Sequence, residues 1–395
     1  MKFGKWIISA CSLPLLLSVH PANARDCGGD FNAFLNGVAK EAREQGRSQA
    51  AIRETLSGAA VDPKVLRLDR GQGVFKQTFL EFSRRSVNGY RLKHGAANMQ
   101  KYASSFARAE REYGVPAAVI TAFWGLETDY GAVQGDFNTV NALATLAYDC
   151  RRPDLFRPQL LAAIELAEHG DLDPRQTTGA WAGEIGQVQM LPRDIIDFGI
   201  DGDGDGHVRL KTSAPDVILT AAHFISSLGW RPGEPWLQEI VLPADLPWEE
   251  TGLASKKTVA EWARLGVRAR SGGLPEGNLQ ASVLLPQGRK GPAFLSYPNF
   301  GVYLEWNQSF IYTTSAAYFA TRLAGAPAYN PGQPEPGLSD ASMKALQKKL
   351  SERGHDVGKI DGILGSGTRA AVRAEQLRLG LPADGWPTEV LLSRL

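Results

Sequence analysis

The stretch Trp124-Gly125-Leu126-Glu127-Thr128-Asp129-Tyr130-Gly131 leaves a folding chain few options, because it puts a carboxylate on a helical face that must be buried. Pro116 follows Gly114-Val115 and suits the first turn of a helix, where its missing N–H costs nothing. From there Ile120, Phe123, Trp124 and Glu127 recur at i, i+3, i+4 and i+7, which predicts a helix over 116–130. A carboxylate on that stripe loses hydration, so its pKa rises and it holds a proton near neutral pH. A general acid needs that property, above all one acting on a glycosidic oxygen. The ordinary alternative stays open at this point, since most helix glutamates are solvated or ion-paired.

At 395 residues the chain exceeds one typical domain, and two are expected. With 43% apolar and 22% charged residues it reads as an ordinary soluble globular protein. A net charge of +1 and the lack of a long basic run give no electrostatic case for nucleic acid. Residues 1–24 read as an export signal rather than as fold. Lys2 and Lys5 form a basic start, residues 6–19 are mostly apolar, and Ala22-Asn23-Ala24 is an A-x-A cleavage site. The apolar run is too short, and too interrupted by Pro14, for a spanning helix. Ile8-Ser9-Ala10-Cys11 faintly resembles a lipidation box, but the apolar region continues past Cys11. Cleavage after Ala24 and release into the periplasm are therefore expected, with a retained or lipid-anchored N-terminus as the alternative. Cleavage leaves Cys27 and Cys150, and an oxidising compartment favours a disulfide between them.

Helical periodicity dominates residues 28–170, with helices predicted over 31–43, 48–57, 97–113, 116–130, 141–148 and 157–169. Residues 175–206 are rich in glycine, as loops lining a cleft are. A helix is predicted over 216–228, short β-prone pieces over 239–242 and 302–306, and a further helix over 312–323. The fold class is thus mainly α (α+β), with a small β part. Four prolines between 326 and 337 make an extended, semi-stiff linker, and 338–395 a small helical module. In that module Met343, Leu346 and Leu350 form one apolar stripe, while Ala370, Val372 and Leu377 seed another.

Three further segments carry chemistry. Residues 179–192 set glycines beside Trp181, Gln187 and Gln189, a composition suited to a groove where backbone nears a sugar and amides meet hydroxyls. Asp201-Gly202-Asp203-Gly204-Asp205-Gly206-His207 places oxygens at loop positions 1, 3 and 5 with Gly at 6, as an EF-hand does. The twelfth position holds Thr212 rather than Glu, and Asp216 could close a longer loop. One structural Ca²⁺ is expected on Asp201, Asp203, Asp205, the backbone oxygen of His207, and Asp216; the bland alternative is a solvated Asp/Gly turn. The third segment, 306–312, offers the amide of Asn307 and the phenol of Tyr312 to a substrate.

In this order the segments resemble the lytic murein transglycosylase B family, over 28–325. The match runs through Ala122–Gly131, the Trp181–Pro192 cleft run, the Asp201–His207 loop and the Asn307–Tyr312 motif. The resemblance implies a lysozyme-like domain over 25–325 that cleaves the MurNAc–GlcNAc bond without water, leaving a 1,6-anhydro-muramoyl end. It implies Glu127 as the catalytic acid and base, with Gln189, Asn307, Tyr312, Tyr130 and Trp181 on the substrate, and no cofactor for the chemistry. Its partners are glycan strands of peptidoglycan. Proteins of cell-wall synthesis or division would fit beside such an enzyme, but no residue names one. The module at 338–395 resembles the peptidoglycan-binding type 1 domain through Leu346–Leu350, Ile360-Asp361-Gly362, Gly365–Val372 and Leu381–Gly385, with Glu375-Gln376 where Phe-Gln is usual.

The chain departs from the family at four cleft positions. Ala180 stands where Ser is usual, Glu184 where a small or apolar residue is, and Phe224 and Trp306 where Tyr is. Stacking survives the last two swaps, whereas a phenolic hydrogen bond does not. Two other readings remain: a muramidase that admits water, with Glu184 or Asp129 as second carboxylate, and a catalytically dead peptidoglycan-binding scaffold.

Overall fold

The computed structural model describes residues 27–71 and 77–395; the expected export signal, including Cys11, lies outside the described residues. The helices open with α1 (Phe31–Glu44), α2 (Gln49–Leu56), α3 (Pro63–Arg70) and α4 (Phe79–Ser86). Each starts on a side-chain cap, from Asp30, Ser48, Asp62 and Thr78, and Thr78 forms a reciprocal capping box with Glu81. The single helix expected over 97–113 is two, α5 (Gly89–Lys101) and α6 (Ala103–Tyr113), because the chain leaves helical geometry at Tyr102.

Helix α7 (Ala117–Thr128) is the centre of the larger domain. It is not a surface helix with one apolar stripe, because every residue from Ala118 to Gly125 is buried. A helix apolar all round belongs inside a core. It ends where Asp129 and Tyr130 take left-handed conformations, at φ 51° and 61°. Two non-glycine residues there are costly and need outside support. Arg91 gives it: its Nε meets the Asp129 carboxylate at 2.5 Å, and its carbonyl accepts the Tyr130 hydroxyl at 2.6 Å.

Helices α8 (Thr139–Tyr148) and α9 (Pro153–His169) pack antiparallel beside this core, and α10 (Pro192–Phe198) and α11 (Ala214–Ser227) close it. Two-residue strands β1 (Phe137–Asn138) and β2 (Thr178–Gly179) pair antiparallel and tie the glycine-rich segment to the start of α8. Cys27 and Cys150 form the expected disulfide, with Cα atoms 5.3 Å apart.

A second layer is a five-stranded antiparallel sheet in the order β4-β6-β7-β3-β5. Its strands are β3 (Leu237–Val241), β4 (Lys257–Thr258), β5 (Arg268–Ala269), β6 (Gln280–Leu284) and β7 (Phe294–Ser296). Helix α12 (Val259–Arg264) buries Trp262 against it. Residues 302–306, expected as strand, lie in helix α13 (Phe300–Trp306). Phe300, Val302 and Tyr303 are core residues there, so tertiary burial overrides the β preference of branched and aromatic side chains. Helix α14 (Phe310–Leu323) then runs back across α7.

The C-terminal module is α15 (Asp340–Glu352), α16 (Ser366–Arg378) and α17 (Glu389–Arg394) around its own small core. Met343, Leu346 and Leu350 are buried as expected, but on α16 Ala370 is exposed and Leu377 is 58% exposed. The buried face is instead Thr368, Ala371, Val372, Glu375 and Gln376. The proline-rich segment is no free tether. Tyr329 packs on Phe79, Phe294 and Tyr318 and shares a 2.7 Å hydrogen bond with Ser83, while the Asn330 N–H donates to Glu239 at 2.7 Å.

Candidate active site

Glu127 lies in the last turn of α7, where the buried helix gives way to partly exposed residues. Protein crowds it on most sides while the side chain keeps partial exposure. Burial raises its pKa, and hydrogen bonds from Tyr312 and then Trp306 oppose the rise. Both donors reach the same oxygen: the Tyr312 hydroxyl and the Trp306 indole N–H, the latter at 3.0 Å, meet Oε1. Among the described residues no donor meets Oε2, which leaves that oxygen free. Tyr312 is itself pushed well above its ordinary pKa by burial and by the Glu127 charge, which makes it a permanent donor.

Trp306 was expected to keep stacking and lose a hydrogen bond. It keeps both, because an indole N–H donates as a phenol does. Its ring stacks on Phe123 at 4.2 Å and leans on Phe224 at 5.4 Å. The signal was legible in principle, since Trp306 and Tyr312 flank one turn, but only the α13–α14 corner aims both at one oxygen.

Other expected substrate residues divide. Trp181 is half-buried against the core, and the Asn307 Oδ1 accepts the Ser309 N–H at 2.9 Å, shaping the turn before α14. The Gln189 Nε2 donates to Gly186 O at 2.8 Å, and residue 189 takes φ 53°. Tyr130 is spent on the protein: its hydroxyl is bonded to Arg91 and its ring packs edge-on against Trp124 at 5.7 Å. That contact leaves it a structural post rather than a hand on the substrate. Gln187, read from sequence only as one of two amides offered to a sugar, instead buckles the glycine-rich segment to α7. Its Oε1 accepts from Trp124 Nε1 at 2.9 Å, its carbonyl from Thr128 Oγ1 at 2.6 Å, and its Nε2 donates to Lys211 O at 3.2 Å. The glycines around it serve protein packing, for a Cβ on Gly186 (φ +81°) would sit 2.5 Å from Leu210.

Two further carboxylates flank the site. Asp129 is committed to Arg91. Glu184 is raised in pKa, first by burial, with the Glu127 charge adding and backbone N–H groups and Arg152 opposing; its Oε2 is buried without a partner. Asp201, Asp203 and Asp205 converge, with ligand oxygens within 4.8 Å of one another. Three hard carboxylates so close suit Ca²⁺. Asp216, expected as a further ligand, lies outside that group. It is fully buried, with Oδ1 accepting from Gly202 N and Ser213 Oγ and Oδ2 from Arg209 N, so it ties the loop to α11. The His207 ring turns away to Asp171, at 2.8 Å.

The Transglycosylase SLT domain profile matches residues 30–321 of this sequence. The chain belongs to that family. The peptidoglycan binding domain profile matches 339–395 of the same transglycosylase. Membrane-bound lytic murein transglycosylase B of Escherichia coli (strain K12) is 27% identical over 302 residues, 73% of this chain and 82% of that protein. SltB3 from Pseudomonas aeruginosa, solved in complex with NAG-anhNAM-pentapeptide, superposes with a TM-score of 0.85 at 35% identity, over 93% of this chain and 99% of that one. The Escherichia coli lytic transglycosylase Slt35, solved in complex with calcium, superposes at 0.63 and 27% identity, over 77% of this chain and 97% of that one. The catalytic domain is thus lysozyme-like and mainly helical, and the enzyme is a lytic transglycosylase by family.

Proposed function

We propose that this enzyme cleaves the MurNAc–GlcNAc bond of peptidoglycan without water, leaving 1,6-anhydroMurNAc ends, in cell-wall remodelling or turnover. Glu127 is the single acid and base. Its carboxyl proton passes to the glycosidic oxygen as the C1–O bond breaks, and the GlcNAc side leaves as an alcohol. The muramoyl acetamido oxygen closes on C1 and stabilises the positive centre. The Glu127 carboxylate then takes the proton of the C6 hydroxyl, whose oxygen displaces the acetamido group at C1. Atoms balance without added water, and Glu127 ends protonated as it began. An acid that becomes a base needs a pKa well above that of a free carboxylate, and burial raises that of Glu127 while the Tyr312 and Trp306 donors oppose the rise.

The observation that carries this reading is a lone usable carboxyl. Hydrolysis by two carboxylates needs a second one free to activate water. The Asp129 carboxylate is taken up by its ion pair with Arg91, and Glu184 is buried, with Oε2 lacking a partner and its pKa raised by burial and by the Glu127 charge. Mass spectrometry of digested sacculi tests the reading: anhydro ends are expected, and reducing ends heavier by one water would establish a hydrolase instead. Glu127→Gln should cut turnover by at least about 10²-fold, the lower end of what a positioned acid–base group contributes; unchanged turbidity loss would leave only a scaffold.

Two further parts support the same reading. A structural Ca²⁺ on Asp201, Asp203 and Asp205 would hold the loop between the cleft segment and α11. The C-terminal module would hold glycan strands. Export to the periplasm fits the Cys27–Cys150 disulfide, and no described helix is long and apolar enough to cross a membrane.

A further inference from the structure

The module is docked on the catalytic domain along a specific seam. Trp386 Nε1 donates to Glu335 O at 3.0 Å, Arg289 N to Asp384 Oδ2 at 3.0 Å, and Lys290 pairs with Glu335 at 2.6 Å. At its centre the Arg369 guanidinium lies between two rings, 5.0 Å from Phe310 and 5.8 Å from Trp386, and its Nη2 donates to Pro286 O at 2.9 Å. Arg369 comes from α16 of the module, Trp386 from the module's last loop, and Phe310 and Pro286 from the catalytic domain.

This is a costly arrangement. Arg369 Nε is buried without a partner, and burial with the nearby Arg373 charge lowers its pKa to about 10, against the help of Asp384. A half-buried guanidinium with no carboxylate bonded to it is hard to justify by stability, since apolar packing would hold a seam better. The target of the contact suggests another reason. Phe310 is the first residue of α14, and Tyr312, which donates to Glu127, is the third. From Thr313 to Ala320 the helix is buried in the core, whereas residues 309–312 are only half-buried and Phe310 meets Arg369 of the module.

We propose that the module is a working part of the catalytic cleft: Arg369, clamped to Phe310, Trp386 and Pro286, fixes the first turn of α14 and so aims the Tyr312 hydroxyl at Glu127. This rests on the role proposed above for Glu127, and it makes Arg369 a positioning residue. A donor that drifts by a fraction of an ångström loses most of its bond to a carboxylate, and misplacement of about 1 Å can cost about 10²-fold in rate. The groups facing Glu127 are Tyr312, Trp306 and Glu184, with Arg91 acting on Tyr312; those facing Arg369 are Arg373 and Asp384. Loosening Tyr312 removes a donor that favours the Glu127 anion. The alkaline limb of kcat then moves to higher pH while kcat falls.

Full-length Arg369→Ala, Arg369→Lys and Phe310→Leu, with the Arg369→Ala/Phe310→Leu double variant, test this on a short soluble peptidoglycan fragment, with kcat and KM read across pH. Arg369→Ala should lower kcat about tenfold with KM changed less than about twofold, a fraction of the misplacement limit. Its alkaline limb should move in the direction given by Tyr312→Phe. Arg369→Lys, which keeps the charge and loses the planar fork, should recover part of the rate. The double variant should fall no further than either single one, because both break the same contact. Lys40→Ala, on the exposed side of α1 where it pairs with Glu44 at 3.8 Å, should leave kcat unchanged. If Arg369→Ala does not fold, Phe310→Leu carries the test from the catalytic side. A lower melting temperature with wild-type kcat and pH limb would make Arg369 a mere strut and overturn the proposal. Failure of the underlying Glu127 reading looks different, because the wild type itself then yields no anhydro ends.

Discussion

At the scale of single residues the site is a set of carboxyl groups sorted by their neighbours. Glu127 gives one oxygen to two donors and leaves the other free, Asp129 is spent on Arg91, and Glu184 is crowded by burial and by Glu127. Glu184 has a stability consequence with a definite sign. Its pKa in the folded chain lies above its ordinary value of 4.5. The folded state therefore binds the proton more tightly than the unfolded state, and stability declines as pH rises from the ordinary carboxylate range through the folded pKa. Glu127 acts in the same direction, and it is present alike in the wild type and in Glu184→Gln. Glu184→Gln should melt like the wild type near pH 4 and above it near pH 8, values chosen as about half a unit below and well above the ordinary glutamate range. Parallel melting curves at both pH values would show that Glu184 ionises without strain.

Elements show what periodicity can and cannot tell. The Asp201–Asp205 turn was readable because its spacing is local, and its three carboxylates do converge. Asp216, a short way on, was placed with them by distance along the chain, yet α11 uses it as an internal fastener. Like charges so close repel without a cation, so calcium should raise the melting temperature. At free calcium about 100 times Kd the gain is about 2.7 kcal/mol. Asp203→Ala with Asp205→Ala should abolish the calcium response; equal melting of the wild type in chelator and in calcium would leave the loop a plain turn. Helix α13 is the contrary case. Its branched and aromatic residues read as strand, and only the core pocket that receives Phe300, Val302 and Tyr303 makes them helical.

Across the whole molecule, long-range ties decide the shape. The disulfide closes a sequence separation of 123 and is backed by Gly28 N donating to Tyr148 O at 2.8 Å and the Tyr148 hydroxyl to Gly29 O at 2.6 Å. Cys27→Ser with Cys150→Ser should cost about 2–5 kcal/mol, seen as a lower midpoint in denaturant. An unchanged midpoint would mean that the neighbouring hydrogen bonds hold the start of the chain unaided. The proline-rich segment corrects a reading made from composition alone. Prolines do make residues 326–337 extended, but Tyr329 and Asn330 find partners on α4, α14 and β3, so the segment straps the module in place.

Local signals let the sequence alone determine much of this protein. The helical period, the caps, the Asp/Gly loop and the order of motifs specified a mainly helical domain, a carboxylate at the end of its central helix and a second small module. Each is encoded within a few turns of chain, where spacing maps directly onto geometry. The tertiary structure decided what those residues do to one another. It assigned both donors to one oxygen of Glu127, turned Tyr130 and Asp216 into internal supports and made Gln187 a buckle between the glycine-rich segment and α7. It also brought Arg369 onto Phe310 across a seam that no periodicity announces. Those outcomes depend on partners tens to hundreds of residues apart, and the free energy of a buried polar group is set by such partners rather than by its place in the chain.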